Sequence, residues 1–421
     1  MILLKNGTFI NWQTLEFIQA DVLVESGAFG GIFLTNDPEM IRHARVVDCT
    51  GKFITKSFAC GHHHVYSALA RGMGAPKKNP ENFREILQYV WWTLDKALDI
   101  PSIRASALVT AMACAKNGIT FVIDHHASPF AVEGSLETIS QAFNEVGVGH
   151  LLCYEISDRD GSDIAGKGLR ETEHYLSQNP GLVGLHASFT VGDDTLSKAV
   201  ALAEKAKSGI HVHVAEDLYD QQHCMENYGK RVIERFTDAG VLNFSKSILG
   251  HCLHLSKHER ELIDASPAWV VENTESNLNN GVGYFNSEGL GSNIILGTDG
   301  MHSDILRSAQ SAFFAGHLHD AIDYAGTYTR FRNVHHYLHK NNFQGDGDNN
   351  LVVLNYDTPT PFNKNNFSGH FLFGLNAAQV EHTIAQGSMI VESGKLTRVN
   401  ETEILKESGF QAEMLWRRMK S

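Results

Sequence analysis

From residue 58 onward, short apolar runs alternate with longer amphipathic stretches, and this alternation restricts the fold more than any other feature of the chain. Eight runs read as strands: 58–64, 120–125, 150–155, 182–186, 210–215, 247–252, 268–272 and 293–298. They are apolar enough to be buried on both faces, and helical stretches such as 102–116 and 194–207 lie between most of them. The second of these stops just before Gly209, a residue suited to ending a helix. Repeated strand-helix units build a parallel sheet, and eight of them close it into a (β/α)8 TIM-type barrel of the α/β class.

The two ends of the chain read differently. Short strands at 2–4, 8–10, 20–25, 31–35 and 45–48 are broken by Asn-Gly, Ser-Gly and Asn-Asp-Pro, and strand character returns at 351–356 and 380–392. Neither set can bury a core alone. The expected organisation is therefore a small β-sandwich of residues 1–57 plus 351–395, a barrel of residues 58–350, and a C-terminal helical extension over 396–421. The glycine-rich piece at 281–291 lacks the strand-glycine-helix context of a nucleotide fingerprint and reads as a loop.

Composition narrows the partners. A net charge of -13 and the absence of Lys/Arg runs argue against nucleic acid and against an anionic membrane surface, which leaves a small-molecule substrate. The six cysteines form no CxxC pair, as expected of reduced thiols in a cytoplasmic protein. The first residues carry no long apolar run, and no later segment reaches membrane-spanning length. The expectation is a cytoplasmic homodimer.

Barrels of this kind carry their chemistry at the C-terminal strand ends, and here those ends are rich in metal-binding residue types. Strand one ends in His62-His63-His64; residues two apart share a face, so His62 and His64 point together while His63 points away. In a chain with 23 histidines such a triplet also arises by chance. Strand five reads His211-Val212-His213-Val214-Ala215-Glu216. His213 is the preferred ligand because Glu216 then lies beside the metal, with His211 the alternative or a core residue. Asp299 follows an apolar run at the end of strand eight, where a carboxylate is costly to bury unless it meets a cation. Strands one and eight are neighbours in a closed barrel, and three imidazoles with one carboxylate suit Zn²⁺ or Fe²⁺.

Over essentially its whole length the chain resembles the aminohydrolase and chlorohydrolase branch of the amidohydrolase superfamily. The resemblance is carried by His62-His63-His64 with Tyr66-Ser67 and Arg71-Gly72, Trp91-Trp92 with Leu94-Asp95, and 122–129. It extends through 213–220, Ser276-Asn277, 296–300 and Trp416-Arg417-Arg418-Met419. It implies the barrel with its terminal β-sandwich, metal ligands at His62, His64, His213 and Asp299, Glu216 as proton shuttle, and His251 polarising the bond under attack. By the same resemblance Asp299 joins the proton relay, His186 faces the substrate, and Ser303 stands just past the strand-eight aspartate. Two departures are Lys56-Ser57 in place of the usual Pro-Gly, and Asn349-Asn350-Leu351 in place of Ala-Asp-Leu. No lysine accompanies His186 at the end of strand four, which favours one metal, zinc before iron; Glu155 keeps a second metal open.

The reaction expected is hydrolytic deamination of an amino-substituted N-heterocycle. Rivals are dechlorination or amide C–N cleavage by the same site, a non-catalytic scaffold and a metal-handling protein. His125 and His126 either line the pocket or pair with buried Asp124. Trp92 either stacks on a planar substrate or, with Trp91, belongs to a helix core, and the histidines from 317 to 339 read as a solvated helical face.

Overall fold

The structure, a computed structural model, describes residues 1–420. Five strands come first: β1 (Ile2–Ile10), β2 (Phe17–Val24), β3 (Ile32–Leu34), β4 (Arg45–Asp48) and β5 (Phe53–Lys56). The barrel follows as β6 (Phe58–His63), β7 (Ile119–His126), β8 (Gly149–Ile156), β9 (Val183–Ala187), β10 (Ile210–Val214), β11 (Ile248–His251), β12 (Trp269–Glu272) and β13 (Ile294–Leu296). Each pairs in parallel with the next. The last meets the first through a bridge between His63 and Asp299, where the amides of Thr298 and Asp299 both donate to the His62 carbonyl at 3.0 and 3.2 Å. Glycine permits that approach. A methyl at Gly61 would sit 2.8 Å from Ile295 and from the Leu296 carbonyl, and one at Gly297 would sit 2.8 Å from His62 Cβ.

The N-terminal end of the barrel is filled by apolar side chains, among them Phe121, Leu151, Ile248 and Trp269, which meet Val334, Tyr337 and Leu338 of the helix Tyr324–Lys340. That plug makes the opposite end the place where polar groups can gather. The eight expected strands appear within two residues of their expected bounds.

Strands β14 (Leu351–Leu354), β15 (Val380–Ala385), β16 (Ser388–Glu392) and β17 (Lys395–Leu396) return to the N-terminal set and complete one hydrogen-bonded sheet of nine. Its core mixes both chain ends: Leu4, Phe9, Val22 and Ile54 pack with Leu351, Val353 and Ile384. Here three expectations need correction. Asn6-Gly7 does not separate two strands; Asn6 takes a left-handed φ of 63° and bulges a single β1, shifting its register against β2. The strand β5 was not expected. The run 380–392 is a hairpin turning at Gln386-Gly387, both at positive φ. The helix Glu401–Arg418 packs back along the barrel, with Lys116 paired to Glu401 at 2.7 Å and Trp416 Nε1 donating to the Leu69 carbonyl at 2.9 Å.

Lys56-Ser57 forms the seam between sheet and barrel. The buried Lys56 ammonium lies 3.0 Å from Asp346 Oδ1 and donates to the Gly347 carbonyl at 2.5 Å, while Ser57 and Thr120 share a hydroxyl hydrogen bond of 2.6 Å. Arg332 donates to the Lys56 and Ser57 carbonyls at 3.2 and 2.8 Å. His335 is 3% exposed, not on a solvated face as expected; its Nδ1 donates to Asp346 Oδ2 at 2.7 Å while Arg332 donates to its Nε2 at 3.4 Å. His336 and His339 do face solvent.

Burial raises the Asp346 carboxyl, but His335 and Lys56 outweigh it and hold it at about 2; burial pushes His335 below its ordinary value. Both shifts give the same sign. The Asp346 contribution is present above about pH 4 and lost as pH falls toward 2, and neutral His335 loses to its protonated unfolded form below about pH 6.5. Asp346→Asn strands the Lys56 charge and should cost about 3–5 kcal/mol at pH 7. Urea titrations carried from pH 4 toward 2, the window in which the Asp346 carboxyl titrates, should also show a flatter acid limb for the variant than for the parent. A variant as stable as the parent at pH 7 would mean that the seam is not electrostatic.

Candidate active site

The strand ends of the barrel bring His62, His64, His213, His251, Glu216 and Asp299 together. His64 Nε2 and His213 Nε2 stand 3.2 Å apart, and Asp299 Oδ1 lies 3.0 Å from His64 Nε2 and 3.2 Å from His62 Nε2. Nitrogen and oxygen atoms of His62, His213, His251 and Asp299 fall within 4.8 Å of one another. His251 Nε2 is 3.5 Å from Glu216 Oε2 and 4.0 Å from Asp299 Oδ2.

The outer nitrogens explain why the inner ones converge. His64 Nδ1 donates to the His125 carbonyl at 2.6 Å, and His213 Nδ1 donates to the His186 carbonyl at 2.9 Å. With Nδ1 protonated, each neutral ring presents a lone pair at Nε2. Two lone pairs facing each other at 3.2 Å repel unless a cation or a proton sits between them. His62 is oriented similarly: its Nδ1 lies 2.9 Å from His211 Nε2, and His211 Nδ1 lies 3.7 Å from Cys153 Sγ. His62 Nε2 is buried and makes no directed hydrogen bond.

Burial sets the charge states. It pushes His62 to about 3 and His213 well below its ordinary value, so both rings are neutral and able to coordinate. Burial also pushes His64 down, but the Asp299 carboxylate overrides it and raises that ring to about 9; the same contact holds Asp299 well below the carboxylate range in spite of its burial. A bare site thus takes up positive charge beside Asp299. The residues fit a divalent cation on three counts: Nε2 atoms that converge, neutral rings at His62 and His213, and an ionised carboxylate at Asp299 beside which a cation would take the place of the His64 proton. Burial, reinforced by Asp299 and opposed by His251, raises Glu216 to about 7, where a carboxyl can both accept and return a proton near neutral pH.

A cavity opens above these groups. Tyr66, Phe83, Leu87, Trp91, Trp92 and His186 line it together with Glu155 and Arg159. Trp92 and His186 therefore reach the space in which they were expected to meet a substrate. His125, His126 and Ser303 are not among its lining residues. His125 Nε2 donates to the Leu185 and His211 carbonyls at 3.1 and 3.2 Å, His126 pairs with Ser128 at 2.9 Å, and Ser303 bonds His63 at 3.1 Å. Asp124 pairs with neither histidine; its Oδ1 accepts from the Val65 amide at 2.7 Å. His63 does point away from the cluster.

Sequence reasoning missed two features. His211, left open as a ligand or a core residue, lies one pleat below His213 and supports His62, a role readable from the two-residue spacing once strand five is known to face strand one. Arg159, on the loop after β8, pairs with Asp95, with Glu155 at 3.3 Å and with Asp160 at 3.0 Å, and lies 5.1 Å over the Trp92 ring. No local signal in the sequence marks it.

Residues 53–341 match the amidohydrolase family. A 5-methylthioadenosine/S-adenosylhomocysteine deaminase of Thermococcus sibiricus is 25% identical over 93% of this chain and 94% of its own. Among solved structures, a zinc-bound adenosine deaminase from Xanthomonas campestris superposes with a TM-score of 0.81 at 16% identity, covering 98% of each chain. A zinc-complexed atrazine chlorohydrolase from Arthrobacter aurescens does so with 0.81 at 13% identity, over 98% of this chain and 100% of that one.

Because His211 fixes the ring of His62 without touching the cluster centre, His211→Leu should leave the protein folded and weaken its hold on a divalent ion by about 10- to 100-fold. Competition against a chelator measures this directly, and an unchanged affinity would remove the supporting role.

Proposed function

The chain belongs to the amidohydrolase family, and we propose that within it this protein is a metal-dependent deaminase that releases ammonia from an amino-substituted N-heterocycle. The observation that carries this reading is the placement of Glu216 and His251 against one side of a cluster whose Nε2 lone pairs and Asp299 carboxylate all face inward. Two things support the substrate class. The cavity offers flat apolar walls at Phe83, Trp91 and Trp92, and the relative from Thermococcus sibiricus is named for deaminating adenosine derivatives.

In this reading His62, His64, His213 and Asp299 hold one divalent ion, with zinc best matched to three imidazoles and a carboxylate and iron second. Bound there, the ion supplies Lewis-acid polarisation and a lowered pKa for the attacking water. Glu216 removes a proton from that water as its oxygen bonds to the ring carbon bearing the amino group. The same carboxyl then returns the proton to the amino nitrogen, the C–N bond breaks and ammonia leaves; the new oxygen's remaining proton passes to the adjacent ring nitrogen, which leaves a ring carbonyl. His251 directs Nε2 at the charge that builds on the carbon centre's new oxygen. Trp92 and His186 border the bound ring.

A second ion has a possible seat, since atoms of Glu155, His186 and His213 also lie within 4.8 Å of one another. Arg159 fills that role instead. Its guanidinium already balances Glu155 at 3.3 Å and opposes any further positive charge brought to that carboxylate. Elemental analysis of protein purified without added metal should therefore give one equivalent per chain, and two full equivalents would reject the single-ion site.

Glu216→Gln keeps the size of the side chain and removes its titration. The variant should fold, retain its metal and lose about 10²- to 10⁴-fold in turnover on whichever amino-substituted purine, pyrimidine or triazine the parent deaminates. Chloro-substituted analogues in the same panel identify the leaving group. Full activity of the metal-replete variant would refute the proton-shuttle role, whereas loss of metal would make Glu216 a ligand.

A further inference from the structure

The helix Thr274–Asn280, which follows β12, supplies none of the proposed ligands, yet its side chains reach both proton-handling residues. Asn277 Oδ1 lies 2.7 Å from His251 Nδ1, and Asn280, one turn later, lines the same cavity as Glu216. We propose that Asn277 is a positioning residue that accepts the Nδ1–H of His251, confining that ring's exchangeable proton to Nε2, the nitrogen that faces the cavity. The inference rests on His251 acting in the reaction proposed above.

Three observations support the assignment. His251 has a left-handed φ of 66°, a main-chain conformation that non-glycine residues rarely adopt and that leaves rotation of the ring about Cβ–Cγ unrestrained. One directed hydrogen bond is what prevents such a ring from turning. Gly250 beside it has no Cβ, and a methyl there would sit 3.4 Å from the His213 ring, so the neighbouring residue leaves room for both rings without steering either. Finally, Asn277 is 1% exposed and its Nδ2 has no protein partner. An amide buried with one of its two groups unsatisfied contributes less to stability than a leucine of similar volume. Packing therefore does not account for an asparagine at this position, whereas the need for a neutral acceptor at 2.7 Å from Nδ1 does.

Whatever its net charge, the ring is then donor at Nδ1, and only Nε2 can exchange a proton with Glu216 Oε2 at 3.5 Å or with the reacting oxygen. Rotation of the ring about its Cβ–Cγ bond would remove Nε2 from that line. The effect of losing Asn277 should accordingly appear in the chemical step rather than in substrate binding.

The test uses the full-length protein with its metal content measured for every variant. Asn277→Leu should keep the melting temperature of the parent or exceed it, retain metal, and lower kcat about 10- to 100-fold with KM changed less than about threefold. Asn277→Asp restores an oxygen acceptor at the same place and should recover most of the lost kcat. A purely structural asparagine predicts the opposite pattern, a lower melting temperature for the leucine variant and no rescue by aspartate, and that result would overturn the proposal. A second readout does not depend on turnover. In ¹⁵N-histidine spectra, the His251 resonances, identified by their loss in His251→Phe, should show a protonated Nδ1 in the parent and a redistributed tautomer in Asn277→Leu. Identical His251 resonances in both proteins would also overturn it. If no compound in the panel is deaminated, the functional reading falls, and the spectra still decide whether Asn277 sets the ring.

Discussion

The site depends on where the outer nitrogens of its histidines are anchored. His64 and His213 each give Nδ1–H to a backbone carbonyl, of His125 and of His186, at the C-terminal ends of β7 and β9. Those carbonyls are fixed by the barrel itself, so the rings are aimed by the most rigid part of the molecule, and no second layer of mobile side chains intervenes. The arrangement also settles charge. Burial keeps His62 and His213 neutral, and a ring that is neutral with Nδ1 protonated has only one orientation in which it offers a lone pair to the centre. His125 and His186 thus act on the cluster through their main chains, whatever their side chains do.

How much of this could be read from the sequence follows from how local each cause is. The barrel strands were legible because a strand buried on both faces must be almost wholly apolar over four to eight residues. His62 and His64 were legible because the pleat has a period of two, and Asp299 because an acid at the end of an apolar run needs a reason. By contrast, His211 supports His62 across 149 residues of chain, and Arg159 meets Asp95 across 64. No local pattern carries such pairings. The histidines of 335–339 illustrate the same limit: helical spacing suggested one solvated face, but His335 turns inward because Asp346, on a loop with no periodic signal, supplies its partner.

The replacement of Pro-Gly by Lys56-Ser57 is another case in which the meaning of a residue lies elsewhere in the fold. In sequence it looked like an altered entry turn. In the structure the lysine carries a charge into the junction between sheet and barrel and finds Asp346 there, while Arg332 collects the carbonyls of both residues from the helix that plugs the barrel. The strand that carries His62 is therefore tied, at its start, to the apolar end of the barrel and to the terminal sheet at once.

The backbone shows where the fold concedes energy to the site. Four non-glycine residues at barrel strand ends adopt left-handed φ: Ala215 at 45°, His251 at 66°, Cys252 at 54° and Asp299 at 50°. Each such residue costs on the order of 1 to 3 kcal/mol unless its surroundings dictate the conformation. They fall after β10, β11 and β13, the three strands that bring in Glu216 beside His213, His251 and Asp299. Among the described residues none falls after β7, β8, β9 or β12. A relaxed strand end would carry its side chains on along the barrel axis or outward toward the helices. The sharp turn folds them back over the centre, which is why residues that follow the last ladder hydrogen bond, Glu216 and Asp299, can stand beside His213 and His64, which precede any such turn. The strain is held by contacts already described: the His62 carbonyl accepts the Asp299 amide at 3.2 Å, and the Val214 carbonyl accepts the Cys252 amide at 2.9 Å. Closing the barrel between its first and last strands and bending Asp299 over the cluster are therefore a single structural event, since the His62 carbonyl that seals the ring also fixes the strained residue.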